Sequence, residues 1–305
     1  MVRVSLLVAL LSSAIGRGVA AQDPIAPGPS APVAVAPLRL GILGASVSDG
    51  LGCFAQETRA DGVYAAKYRL ADMLALVCGD RPLEFEDRAH FTMGFNTKPA
   101  GRAAVAAVLD ARPQAVVALD FLFWYCYGRH GPAKTAEQAE ERRMAAFEQG
   151  LSLLAQFEVP VVVGDIPDMS RASGKAMPAS FVPPLASIEA ANARLAAWAK
   201  DRPNVCVVPL AKLIRQLHDE QLVEVAGKRL LATPEQPLLQ ADELHATPAG
   251  LAAITCVVVD ILAQAKPEFA LPRAVDPAVV VERAKARLGK IAPKPSEPKP
   301  VDAGK

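Results

Sequence analysis

The sequence predicts an α/β protein: a three-layer α/β/α sandwich, flavodoxin-like, around a parallel sheet of about five strands. Three observations carry this. Apolar runs of strand length recur, within Leu38–Leu43, Gln114–Trp124, Val159–Met169 and Asn204–Leu210. Between them lie longer stretches whose apolar residues repeat at helical spacing. The strand runs are apolar at consecutive rather than alternate positions, the pattern of strands covered by helices on both faces.

Taken in order, Leu38–Leu43 reads as the first strand and Tyr64–Cys78 as a helix, with Tyr64, Tyr68, Ala71, Leu74 and Ala75 on one side. Gly79-Asp80-Arg81-Pro82 stops that helix. Leu83–Phe85 is a short second strand, and Ala100–Ala111 a helix that ends before Pro113. The run Gln114–Trp124 is a strand, Ala136–Phe157 a long helix with many charges on one side, and the run from Val159 a strand that ends in a turn. Leu185–Lys200 is a helix, the run from Asn204 a strand, and Ala211–Leu222 a charged helix that places His218 on the surface. Thr247–Ala265 closes the domain as a helix: Thr247 suits the N-cap, and Pro248 sits at the first helical position, where its missing N–H costs nothing.

The ends differ in composition from this body. Residues 1–21 have the layout of a secretory signal peptide, with Arg3, an apolar run Val4–Leu11, and small residues Val19, Ala20 and Ala21 before Gln22. This implies a secreted or periplasmic protein; an uncleaved anchor is the other reading of the same layout. The apolar run is short for a bilayer, so no stable membrane span is expected after cleavage. Residues 22–37 form a Pro/Ala-rich linker, 38–265 the folded domain, and 266–305 a C-terminal extension: a short helix at Asp276–Leu288, then a disordered Lys/Pro-rich tail from Lys290.

With 33 basic and 32 acidic residues the net charge is +1, and no basic stripe is interleaved with aromatics, so a nucleic-acid partner is not expected. The five cysteines include no CxxC, which argues against a thiolate zinc site, and their odd number leaves at least one thiol free. The turn GILGASVSDG lacks the G-x-G-x-x-G spacing, and no P-loop is present. Asp165 and Asp168, in GDIPDMS, lack further ligands for a metal and read as a wall of the site. Neither metal nor cofactor is expected.

In such sheets the working site lies at the carboxyl ends of the strands. That places Ser46, Asp120 and Asp165 together, since each follows a strand. Asp242 and His245 are three apart on the loop before the last helix. A carboxylate at that spacing folds back to accept a bond from the imidazole, fixing its tautomer and stabilising its protonated form. The other ring nitrogen is then available to take the proton of a serine hydroxyl, which is a poor nucleophile alone. Each part has a plain alternative. A Gly/Ser turn after a strand also serves as a simple loop or a phosphate cradle, and Asp-x-x-His also caps a helix. His90 and His130 are weaker candidates for the base.

GASVSDG (Gly44–Gly50) and DELH (Asp242–His245), followed by TPAG, resemble the first and last blocks of the SGNH/GDSL hydrolases, and the resemblance spans Leu38 to Ala265. It implies a flavodoxin-like domain that hydrolyses esters without a metal. Ser46 would be nucleophile and oxyanion donor, His245 the base, and Asp242 its orienting partner. The substrate would be a small-molecule, polysaccharide or lipid ester. Ala45 replaces the family's Asp. For the second oxyanion donor, TMGFNTKPAG offers Gly94, with Asn96 and Gly101 as alternatives. The third block departs most: LDFLFWYCYG has no Asn, and a charged Asp120 would repel an oxyanion unless protonated or holding another donor. The aromatics Phe121, Phe123, Trp124, Tyr125 and Tyr127 either line a pocket or pack as core. A non-catalytic binding or structural domain on the same fold is the alternative function.

Overall fold

Strand β1 (Leu38–Ile42) sends Leu38, Leu40 and Ile42 into one core, and its carboxyl end runs directly into the turn that carries Ser46. The computed structural model describes residues 35–60, 62–225 and 227–288. The expected signal peptide (1–21), most of the expected linker and the expected Lys/Pro tail lie outside the described residues.

After the turn come β2 (Phe54–Arg59) and β3 (Gly62–Lys67), an antiparallel pair, then α1 (Leu70–Cys78). The helix expected over Tyr64–Cys78 is therefore strand over its first four residues, Tyr64–Lys67, and helix only from Leu70. Tyr64 and Tyr68 are four apart, which is one helical turn but also an even number of strand residues, so the spacing fits both periods. Pairing along Phe54↔Lys67 through Arg59↔Gly62 decides in favour of the strand.

Next are β4 (Leu83–Asp87), α2 (Thr97–Asp110) and β5 (Ala115–Ala118). The strand expected through Trp124 stops at Ala118. Beyond it the chain leaves the sheet, and its apolar residues form α3 (Phe123–Cys126). Then follow α4 (Ala136–Leu154), β6 (Val161–Gly164), α5 (Leu185–Lys200), β7 (Val205–Val208) and α6 (Leu210–Glu220). A second antiparallel pair, β8 (Leu222–Val225) and β9 (Lys228–Leu231), begins at Leu222, which continues the helical pattern of α6. α7 (Pro248–Ala265) begins as expected, with the Thr247 hydroxyl accepting the Gly250 N–H.

The main sheet has the order β4-β1-β5-β6-β7 with every pair parallel. This is the flavodoxin order, in which the chain steps from β1 to one neighbour and then crosses to the other side. The crevice opens where that direction reverses, between the carboxyl ends of β1 and β5. Alternate residues of β5 divide the cores. Ala115 and Val117 join a cluster with α1 and α7, while Val116 and Ala118 join one with α2, α4 and α5. Helices on both faces make the three layers.

α8 (Pro277–Leu288) belongs to this body rather than to an extension beyond Ala265. Val280, Ala284 and Leu288 are buried, the Tyr68 hydroxyl donates to Ala284 O at 2.7 Å, and Arg283 donates to Leu76 O at 2.7 Å. Its apolar residues recur every four positions, and α1 and α7 supply the face that covers them.

Candidate active site

The turn from Gly44 to Leu51 is wound tightly: Asp49 N–H bonds Ala45 O at 2.9 Å, and Leu51 N–H bonds Ser46 O at 2.9 Å. Two glycines are required for it. A Cβ at Gly44 would fall 2.3 Å from Asp120 Oδ1, and one at Gly50 (φ 69°) would fall 1.9 Å from Tyr68 O. Ser46 is 5% exposed and lines a small apolar cavity of about 60 Å³.

Asp120 holds this turn. Its Oδ1 accepts the Ala45 N–H at 3.0 Å and the Ser48 hydroxyl at 2.5 Å; its Oδ2 accepts the Val47 N–H at 2.9 Å and the Ser48 N–H at 3.4 Å. Its carboxylate therefore satisfies the donors on both sides of Ser46 and donates nothing. Among the described residues no acceptor is assigned to the Ser46 N–H itself. The sequence indicated that Asp120 would lie near Ser46, but not that it would accept from the turn that carries it. Asp49, also buried, braces the same turn from below: it lies 3.3 Å from Lys67 Nζ and from Arg69 Nε, and accepts the Phe91 N–H at 3.3 Å.

The loop before α7 is held by Asp242. Its Oδ1 accepts the Leu244 and His245 N–H groups, each at 3.0 Å, and its Oδ2 stands 2.6 Å from His245 Nδ1. A carboxylate can only accept, so the proton of this contact sits on Nδ1. Burial acts to raise the Asp242 carboxyl, but the bonds from the His245 ring and from the two backbone N–H groups prevail and hold it below the usual range. The intervening Glu243 takes up the tight bend at φ 59°. His245 is 7% exposed, and its Nε2 is buried without a hydrogen-bond partner.

The two loops meet. Leu244 and Ala246, on either side of His245, line the cavity of Ser46 together with Leu119, Phe123, Trp124, Asp165 and Met169. Gln240 ties them directly, donating from Nε2 to Leu51 O and to Ala246 O, both at 2.9 Å. Nothing in the local sequence marks Gln240, because its partner is 189 residues away. No hydrogen bond joins Ser46 Oγ to His245 among the described residues.

The other candidates divide. Gly94 and Asn96 line a neighbouring cavity that shares only Trp124 with that of Ser46, and a Cβ at Gly94 would stand 2.9 Å from the indole. Gly101 packs under the Tyr125 hydroxyl instead. Of the aromatic run, Phe123 and Trp124 face the Ser46 cavity; Phe121, Tyr125 and Tyr127 are core. Asp165 lines the cavity and accepts the Ala211 N–H at 2.7 Å, so it also anchors the start of α6; burial pushes its carboxyl up against that bond.

His218 is not on the surface as expected: its side chain is 13% exposed, with Nε2 3.8 Å from Glu243. Helix α6 turns that face toward the His245 loop, a contact no helical periodicity encodes. His90 is exposed and accepts the Thr92 N–H at Nδ1. All five cysteines are free; burial pushes Cys53, Cys78, Cys126 and Cys256 up to about 12, which leaves them as inert core thiols. Among the described residues no group of three or more His, Cys, Asp or Glu is placed to hold a metal.

These features define a three-layer α/β/α protein with a Ser, an Asp–His pair and an apolar cavity at the switch point of its sheet. No protein-family profile and no curated protein matches the sequence. Among solved structures it is similar to BT4096, a gut microbial diltiazem-metabolizing enzyme, at 11% identity and a TM-score of 0.45, over 76% of this chain. The match spans about half of that protein, 47% of its length.

Proposed function

We propose that the chain is an exported serine hydrolase of the SGNH/GDSL kind, secreted or periplasmic, that cleaves a carboxylic ester through an acyl-enzyme. One observation carries the reading. His245 is oriented through Nδ1 by Asp242 at 2.6 Å, while its Nε2 is buried with no partner, on a loop that walls the cavity of Ser46. A ring held through Nδ1 by a carboxylate, with Nε2 left free of other partners, is what a general base requires. His218 Nε2 also lacks a hydrogen-bond partner, but among the described residues no such carboxylate is bonded to its Nδ1, and it does not line the Ser46 cavity.

In this reading Ser46 Oγ attacks the ester carbonyl carbon as its proton passes to His245 Nε2, and Asp242 stabilises the imidazolium. The carbonyl electron pair moves to oxygen, where the unpaired Ser46 N–H donates to it. Collapse of the adduct expels the alcohol, which takes the proton from Nε2. Water then attacks the acyl-enzyme by the same route and releases the acid. Catalytic hydrogen bonds are commonly long until substrate tightens them, which fits the absence of a Ser46–His245 bond. The cavity, about 60 Å³, suits an acetyl-sized acyl group rather than a long chain. With Asp120 donating nothing and Gly94 and Asn96 lining the neighbouring cavity, the Ser46 N–H stands without the second and third donors of the resembled family, and each absent donor predicts turnover slower by roughly 10²–10³-fold.

Two observations favour a second reading, a binding or structural domain on the same fold: the missing Ser46–His245 bond, and the Asp120 carboxylate where the resembled family has Asn. A fluorophosphonate probe separates the two. Labelling of the folded protein that is lost in Ser46→Ala and strongly reduced in His245→Ala supports the hydrolase, as does p-nitrophenyl acetate cleavage exceeding that of longer acyl esters. Folded wild-type protein that takes no label supports the binding domain.

A further inference from the structure

The cavity beside the Ser46 site has a different character. It lies between residues 94–99 and 127–131, encloses about 330 Å³, and presents the side chains of Phe95, Lys98, Trp124, Arg129 and His130. No carboxylate lines it. Lys98 and Arg129 are both exposed and neither is paired with an acidic group among the described residues; Arg129 is steadied only by Ser180 Oγ at 3.5 Å and by the Phe181 ring. Phe95, 81% exposed, and Trp124 give the cavity two aromatic side chains. Burial lowers His130 toward the neutral form, so the positive charge comes from the lysine and the arginine. Trp124 is a wall of both cavities.

We propose that this second cavity is the subsite for the alcohol portion of the substrate, and that it takes an anionic ring, a carboxylated or phosphorylated sugar. An acyl group in the small apolar cavity would have its ester oxygen directed past the Trp124 indole, and the leaving alcohol would enter a space with aromatic faces for a ring and two cations for its charge. Arginine and lysine without acidic neighbours attract carboxylate and phosphate alike through charge-assisted hydrogen bonds, and flat aromatic faces favour the apolar face of a sugar ring. The position next to the leaving group rests on Ser46 as nucleophile; the binding of an anionic sugar does not.

The test separates these. Wild-type protein is titrated with glucuronate, glucose 6-phosphate and glucose while tryptophan emission is followed, since Trp124 is one of only two tryptophans. Saturable change with one or both anions and none with glucose is expected, identifying the carboxylate or the phosphate as the better group. The charge-reversed Lys98→Glu/Arg129→Glu variant, altered only at exposed positions, should lose that response. An equal response to glucose, or none to either anion, overturns the subsite whatever the enzyme does to esters. Hydrolysis of 4-acetoxybenzoate is then compared with that of its neutral methyl ester. The rate ratio, anion over neutral, should fall about tenfold in the charge-reversed variant. Anion binding with an unchanged ratio would remove the leaving-group role, and binding without hydrolysis of either ester would overturn the proposed function instead.

Discussion

Two turns of this molecule each give several backbone N–H groups to a single carboxylate, Asp242 in one and Asp120 in the other, and they differ in where that carboxylate comes from. Asp242 sits three residues before His245, and its bonds stay within its own loop. Asp120 is 75 residues from Ala45 and reaches the Ser46 turn only because β5 lies beside β1. Asp242 is partly open to solvent, at 29% side-chain exposure, whereas Asp120 is buried at 6%. A local brace orients one side chain. A distant brace locks two strands' ends together and has no solvent to replace it when it is removed.

If that contrast is right, the largest loss of stability follows Asp120→Ala. Three backbone N–H groups and the Ser48 hydroxyl lose their acceptor at a buried site, which costs about 3 kcal/mol, or roughly 6–12 °C in Tm for a body of this size. Asp120→Asn keeps the shape but turns an NH₂ toward donors, so thermal unfolding should show a loss there too; an Asn variant as stable as wild type would end the case for the carboxylate as acceptor.

Asp242→Asn should cost less, and its effect should depend on pH. The folded carboxyl lies below its unfolded value of about 3.9, so its contribution is present above that pH and is lost as pH falls through the depressed folded value. Acid-unfolding curves of the two proteins should therefore differ at neutral pH and converge once pH falls below the depressed folded value. A difference that persists at low pH would mean the bond to His245 stabilises nothing as a charge.

Gln240→Ala comes next. It removes the tether between the loops and leaves the Leu51 and Ala246 carbonyls without that donor, for about 1 kcal/mol and 2–4 °C. Under the proposed function kcat should fall more than KM rises, since the tether sets the placement of His245 against Ser46. Unchanged kcat would show that the loops keep their positions without it. The smallest effect is expected for Thr247→Ala, a local N-cap, at about 0.5–1 kcal/mol by thermal unfolding.

The same division between near and far governs what could be read in advance. The three-layer fold, the five main strands and the Thr247 cap were legible because each follows from a run of neighbours. The β2–β3 pair is not legible because a spacing of four fits both periods, and the β8–β9 pair because Leu222 continues the helical pattern of α6 and each strand is only four residues long. The Asp242–His245 contact was legible from its spacing. Gln240, the accepting role of Asp120, and the turn of His218 toward Glu243 were not, because their partners are separated in sequence and brought together by packing.

By itself, then, the sequence determined which segments form the five strands of the main sheet, where the glycine-bound turn with Ser46 begins, and how Asp242 folds back on His245. These depend on interactions across a few residues, whose geometry the backbone dictates. Only the tertiary structure decided that Asp120 clasps the Ser46 turn, that Gln240 joins the two loops, and that Trp124 stands between an apolar cavity and a basic one. Those arrangements depend on the order in which parallel strands lie side by side, and that order is set by the packing of whole layers rather than by any neighbouring residue.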